Sequence, residues 1–71
     1  MWAIRKDYKK TPFESFDDAY NEMVSNHKNS DLSLIETKPS GIEVAHFLSV
    51  NDTGGVVNTY SRSIIESSGD L

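Results

Sequence analysis

Residues 32–65 read LSLIETKPSGIEVAHFLSVNDTGGVVNTYSRSII, and the fold turns on how this stretch is divided. Leu32–Lys38, Ile42–Val50 and Val56–Ile65 are aliphatic and β-branched runs, parted by Pro39-Ser40-Gly41 and by Asn51–Gly55. Runs of this kind bounded by turn residues read as a meander of three strands. The first turn suits a three-residue loop, type I followed by a left-handed glycine, which pairs Lys38 with Ile42. Leu34 then faces His46 and Leu32 faces Leu48. If Val50 pairs with Val56 across the second turn and the ladder runs regularly, His46 faces Tyr60 and Val44 faces Arg62.

With those registers one sheet face collects Leu32, Leu34, Ile42, Val44, Leu48, Val50, Val56, Tyr60 and Ile64. The opposite face collects Ser33, Ile35, Thr37, Glu43, Ala45, Phe47, Ser49, Val57, Thr59, Ser61, Ser63 and Ile65. Successive strand residues alternate faces, so a one-residue slip would exchange the two sets beyond the slip.

Upstream, Trp2 to Tyr8 alternates, with Trp2, Ile4 and Tyr8 on the apolar side, and predicts a strand that Thr11-Pro12 stops. Two capping signals follow, Thr11 with Glu14 and Ser15 with Asp18. Ser15 fits better, because the stripe Phe16, Ala19, Tyr20, Met23, Val24, His27 starts directly after it, and Asp17 and Asp18 suit a positive helix end. About four helical turns are expected before the polar run Asn26–Ser30. The fold expected is α+β: a single amphipathic helix packed on one face of a four-stranded, mainly antiparallel sheet, in the order β-α-β-β-β. Residues 1–71 form one domain, with 66–71 a frayed tail.

Seventy-one residues hold one small core, which at this size seldom contributes more than about 3–5 kcal/mol. With no cysteine in the chain, disulfides, thiolate metal sites and thiol chemistry are excluded, and self-association gains weight as a source of stability. No apolar run approaches a membrane span, so the expectation is a cytoplasmic protein without membrane contact. Net charge is −4. Residues 1–10 carry Arg5, Lys6, Lys9 and Lys10 against Asp7, while the rest is acidic, including Glu14, Asp17, Asp18 and Glu22 on the helix. Such a balance lacks the broad positive field of a duplex nucleic-acid binder. Lysines at the end of an edge strand also have a plain purpose in blocking aggregation.

Polar residues on the expected apolar face are the exceptions that invite a functional reading: Glu36, His46, Asn58 and Arg62, with the Tyr60 phenol beside His46. Together with Trp2, Arg5 and Tyr8 they are the candidates for a ligand site, the arginines gripping an anion and the aromatic rings stacking on a nucleotide-like body. The bland alternative is that Glu36 and Arg62 sit at the rim while His46 and Tyr60 satisfy each other inside the core. On the opposite face Ile35, Phe47, Val57, Thr59 and Ile65 are the candidates for a protein interface.

No catalytic constellation is apparent. Asp52-Thr53-Gly54 resembles the Asp-Thr-Gly triplet of retroviral-type aspartic proteases, but the likeness covers three residues at a hairpin loop, and loop chemistry accounts for them. Gly54-Gly55 leads into a strand, not into the helix that a phosphate cradle needs. His27 and His46 lack a partner at metal-ligand spacing, so no metal and no cofactor are expected. The function expected is therefore non-enzymatic binding, an inhibitor or regulator contacting a protein partner or a second copy of itself through the open sheet face or an edge strand. That size and mode of action suit a viral or mobile-element protein. The alternative is an oligomeric sponge or sensor for a small anionic metabolite.

Overall fold

The computed structural model describes residues 1–64. Five strands and one helix follow in the order β1 (Trp2–Lys6), β2 (Lys9–Phe13), α1 (Phe16–Asn26), β3 (Ser30–Thr37), β4 (Glu43–Val50) and β5 (Val56–Ile64). All strand pairs are antiparallel, and the spatial order is β2-β1-β3-β4-β5. The α+β class and the single helix agree with the sequence reading, whereas the sheet has five strands in place of four. Ile65 and residues 66–71, expected as an interface position and a frayed tail, lie outside the described residues.

The additional strand comes from the amino-terminal segment, which folds back on itself. Asp7 (φ 53°) and Tyr8 (φ 70°) are both left-handed, and Lys6 pairs with Lys9. Two consecutive left-handed residues make the type I′ geometry that matches the twist of a two-residue hairpin. Tyr8 therefore belongs to the turn and is fully exposed, not part of the apolar face. Thr11-Pro12, expected as a stop, lies inside β2, where Pro12 pairs with Ala3. A proline is tolerated there because β2 is an edge strand.

Helix α1 begins as expected: the Ser15 Oγ accepts a hydrogen bond from the Asp18 backbone N–H at 3.1 Å, capping a helix with Asp17 and Asp18 in its first turn. It is 11 residues long, about three turns, one fewer than the stripe suggested. Ala19 and Met23 are its buried residues, packed with Ile4, Leu32, Leu34, Leu48 and Val50. The helix lies over β1 and β2. A helix is about 10 Å wide and strands are about 4.8 Å apart, so one helix cannot roof five strands; Leu48 and Val50 on β4 are still buried on this face, whereas Asn58 and Ser61 on β5 are exposed.

The two hairpin turns of the meander follow the sequence logic. The Lys38 N–H donates to the Ile42 carbonyl at 2.9 Å, with Gly41 left-handed (φ 95°), and Leu34 pairs with His46 and Leu32 with Leu48. Ile42, placed by sequence on the apolar face, is half exposed at the end of this loop. In the second turn the Asn51 Oδ1 accepts from the Thr53 N–H, the Thr53 hydroxyl and the Gly55 N–H. Asp52-Thr53-Gly54 is thus part of a side-chain-braced loop.

The pairing of β4 with β5 departs from the regular ladder. Val50 pairs with Val56 and Leu48 with Asn58, but Phe47 then pairs with Tyr60, so Thr59 is an extra residue opposite the Phe47/Leu48 step. This β-bulge shifts everything beyond it by one position. Tyr60, Arg62 and Ile64, expected under the helix, stand on the open face; Ser61 and Ser63 take their places opposite His46 and Val44. Bulges have no strong single-residue signature, and a regular register was the simplest extrapolation from Val50–Val56.

The open face is only partly bare. Ala3, Ile35 and Ala45 sit in one row across β1, β3 and β4 and are buried, with Phe47 and Ile64 packed against them. From edge strand β2, Lys10 reaches the Glu43 carboxylate on β4 at 3.5 Å. Such a reach across two intervening strands marks this side as the concave one. Ile35 is 1% exposed, a core residue and not the interface position the sequence suggested.

Candidate functional site

The polar exceptions on the helix side do converge, with one change of membership. His46 lies centrally on β4; its Nε2 is 3.3 Å from the Glu36 Oε1 on β3, and its Nδ1 is 2.9 Å from the Ser61 Oγ on β5. Asn58 extends the chain, its Nδ2 donating to the Ser61 Oγ at 3.2 Å, while its Oδ1 accepts from the Tyr60 backbone N–H. Lys38 meets the other Glu36 oxygen at 3.4 Å. Tyr60 and Arg62, the expected partners of His46 and of an anion, are on the opposite face, and so is Arg5, which pairs with Ser33. The arginines of the suggested anion grip therefore do not join the group around His46.

The network is self-consistent in either charge state of the imidazole. With His46 neutral, Nε2–H donates to Glu36 and the Ser61 hydroxyl donates to Nδ1. With His46 protonated, Nδ1–H donates to the Ser61 Oγ, whose hydroxyl can turn to the Asn58 Oδ1 at 3.4 Å. The His46 hydrogen bond, followed by the charge of Lys38, draws the Glu36 carboxyl below its ordinary pKa against the opposing effect of partial burial. Glu36 is thus held as the anion of the group.

Glu36, His46 and Ser61 follow one another as in a hydrolytic triad. A nucleophilic serine also needs preorganised donors for the oxyanion. Among the described residues, the side chains bonded to Ser61 Oγ are those of His46 and Asn58, and both are engaged in orienting the hydroxyl itself. The arrangement fixes Glu36, His46, Ser61 and Asn58 relative to one another.

Those groups border a pocket of about 400 Å³ lined by Trp2, Phe16, Tyr20, Met23, Leu34, Glu36, His46, Leu48, Val56 and Asn58. Trp2 and Phe16 meet edge to face with centroids 5.1 Å apart, and Phe16 and Tyr20 lie tilted at 5.9 Å. Sequence reasoning assigned Phe16 and Tyr20 to the core and Ser61 to the other face. In fact both rings are more than one-third exposed because the short helix stops covering the sheet beside them. The stripe gave no sign of this, since it reads the same whether a ring is roofed or sits at a helix margin.

The concave face carries a second feature. Phe47 and Tyr60 stack with centroids 5.7 Å apart and an interplanar angle of 25°, and exposed Val57 lies on the same face beside Ser49. A wide hollow of about 850 Å³ extends from there past Thr59, Ser33 and Arg5 to Tyr8 at the hairpin tip. The Thr59 hydroxyl donates to the Phe47 carbonyl at 3.0 Å, which fastens the bulge beneath the stack. Of the expected interface residues, Phe47 and Thr59 line this hollow with Arg5 and Tyr8 from the expected ligand set, while Tyr60 stacks on Phe47 and Val57 lies opposite Ser49 on the same face.

Among the described residues no group of three histidine, cysteine or acidic side chains is placed to hold a metal, and no helix is long and apolar enough to cross a membrane. Comparison with protein families, characterised proteins and solved structures finds no match to this chain.

Proposed function

We propose that this chain is a non-enzymatic binding protein that inhibits or regulates a larger protein by occupying its surface with the concave sheet face and the β5 edge. The observation that carries this reading is the Phe47–Tyr60 stack, which the bulge delivers to the face away from the helix. Tyr60 is 58% exposed and Val57 57%, and exposed tyrosine and arginine sharing one face are characteristic anchors of protein interfaces. The two sheet edges support the same orientation. Edge strand β2 is short and carries Lys9, Lys10 and Pro12, features that discourage pairing. Edge strand β5 is the longest at nine residues, has no lysine or proline, and offers backbone groups for strand addition.

The test is affinity capture with the wild-type chain beside Val57→Asp and Tyr60→Asp, with native mass measured in parallel. Both side chains are exposed, so the variants should melt within a few degrees of wild type. Loss of the captured partner, or of a dimer in the native mass, is the expected result; undiminished binding by both variants would sink the proposal.

A further inference from the structure

The pocket beside the helix lies on the opposite side of the sheet from the docking face, and its chemistry points to a different occupant. Its wall is aromatic, from Trp2, Phe16 and Tyr20; its floor is aliphatic, from Leu34, Leu48 and Val56; its charged end is Glu36. No lysine or arginine is among the lining residues. We propose that this pocket binds a small hydrophobic organic cation, a protonated amine or quaternary ammonium, with its charge at Glu36 and its apolar body against Trp2, Phe16 and Tyr20.

Three features carry the inference. Aromatic faces attract a cation through the negative potential over the ring, most strongly for tryptophan, within about 6 Å of the centroid. The edge-to-face contact of Trp2 with Phe16 and the tilt of Phe16 on Tyr20 set rings at differing angles around one opening. Second, Glu36 is oriented by His46, another lining residue, which Ser61 holds on its far side and Asn58 steadies through Ser61, so the carboxylate is preorganised and little ordering remains for the ligand to bear. Third, the competing cation on Glu36 is weakly held. Lys38 is 3.4 Å away with its side chain 48% exposed, and an exposed pair of this kind contributes little, so an incoming ammonium can exchange with it. An anionic ligand would meet the Glu36 carboxylate with no lysine or arginine among the lining residues to receive it. A volume of about 400 Å³ is at the lower end of the about 300–1,000 Å³ range of small-molecule sites, which favours a compact ligand such as an aryl-alkyl ammonium.

Trp2 is the single tryptophan, so its fluorescence reads this pocket directly. The experiment titrates the full chain with benzyltrimethylammonium, with its uncharged isostere neopentylbenzene as far as solubility allows, and with 3-phenylpropionate. Saturable change in Trp2 emission with the cation, at least tenfold stronger than with either other probe, is expected. Glu36→Gln should weaken the cation by about tenfold and leave the neutral probe unchanged. Lys38→Gln, which removes the competing ammonium from an exposed position, should tighten the cation and keeps the test available if Glu36→Gln unfolds. Equal binding of the neutral probe, preference for the carboxylate, or no saturable change with any probe would each overturn the inference. Val57→Asp, on the other face, should leave the titration unaltered, so failure here is distinguishable from failure of the docking surface.

Discussion

His46 on β4 and Ser61 on β5 are joined across the sheet by an Nδ1–Oγ contact of 2.9 Å, and they face each other only because Thr59 is an extra residue in β5. Without that residue's offset, a strand continuing regularly from Val56 would set Tyr60 against His46 and send Ser61 to the other side. The bulge thus creates both surfaces at once: the polar network beside the helix and the Phe47–Tyr60 stack on the concave face.

Deleting Thr59 tests this relationship. In the bulged pairing Leu48 already meets Asn58 and Phe47 already meets Tyr60, so the deletion leaves a regular ladder with every later residue on its present face. The expected cost is the Thr59 hydroxyl bond to the Phe47 carbonyl, about 1 kcal/mol, read as a small fall in the urea midpoint. A regular wild-type ladder would instead have residues 60–64 change faces on deletion. Loss of folding would then follow.

How much was legible in the sequence depended on whether local chemistry set the outcome. Ser15 as cap, Gly41 in its left-handed turn, and the pairing of Leu34 with His46 were readable, because each follows from neighbours within a few residues. The β2 strand was not, since Asp7-Tyr8 carries neither glycine nor asparagine and only the tertiary hairpin forces both residues left-handed. The two-for-one pairing at Thr59 was equally hidden. Adjacent Val56 and Val57, then Tyr60 and Ile64, fit no single period of two, and that conflict was the available hint of a bulge. For the site, Glu36, His46 and Asn58 were found as polar intruders on an apolar face, while Ser61, Phe16 and Tyr20 depended on the bulge and on the margin of a short helix.

Replacing Tyr8 by glycine should stabilise the protein. Tyr8 holds φ at 70° and is fully exposed, so its side chain returns no burial for a left-handed conformation that costs a non-glycine residue roughly 1–2 kcal/mol. Glycine removes that cost and adds some unfolded-state entropy, leaving a net gain of up to about 1 kcal/mol. A higher urea midpoint for Tyr8→Gly is the expected reading, and a lower one would show that Tyr8 makes contacts this conformation does not contain.

The buried row on the concave face predicts a contrast between two residues of that face. Ile35 is 1% exposed and Val57 is 57% exposed. Ile35→Ala should cost about 2–4 kcal/mol, as for a residue in a packed core, which is most of what so small a domain has available. Val57→Ala should change stability by less than about 0.5 kcal/mol. Similar costs for the two would contradict the division of this face into a covered row and a free patch.

Acid stability should report on Glu36. Its folded-state pKa is depressed, chiefly by the His46 hydrogen bond and then by Lys38, so its contribution to stability is fully present above the unfolded-state value. It is lost as pH falls through the folded-state value, below the ordinary glutamate range. Glu36→Gln removes the carboxylate's linkage altogether, and its stability should therefore decline less steeply between about pH 5 and pH 3 than that of wild type, the range in which an ordinary glutamate protonates. Urea midpoints measured at intervals over that range give the comparison. Parallel declines would mean that the His46–Glu36 contact contributes nothing to the folded state, and with it would go the preorganised carboxylate on which the cation pocket depends.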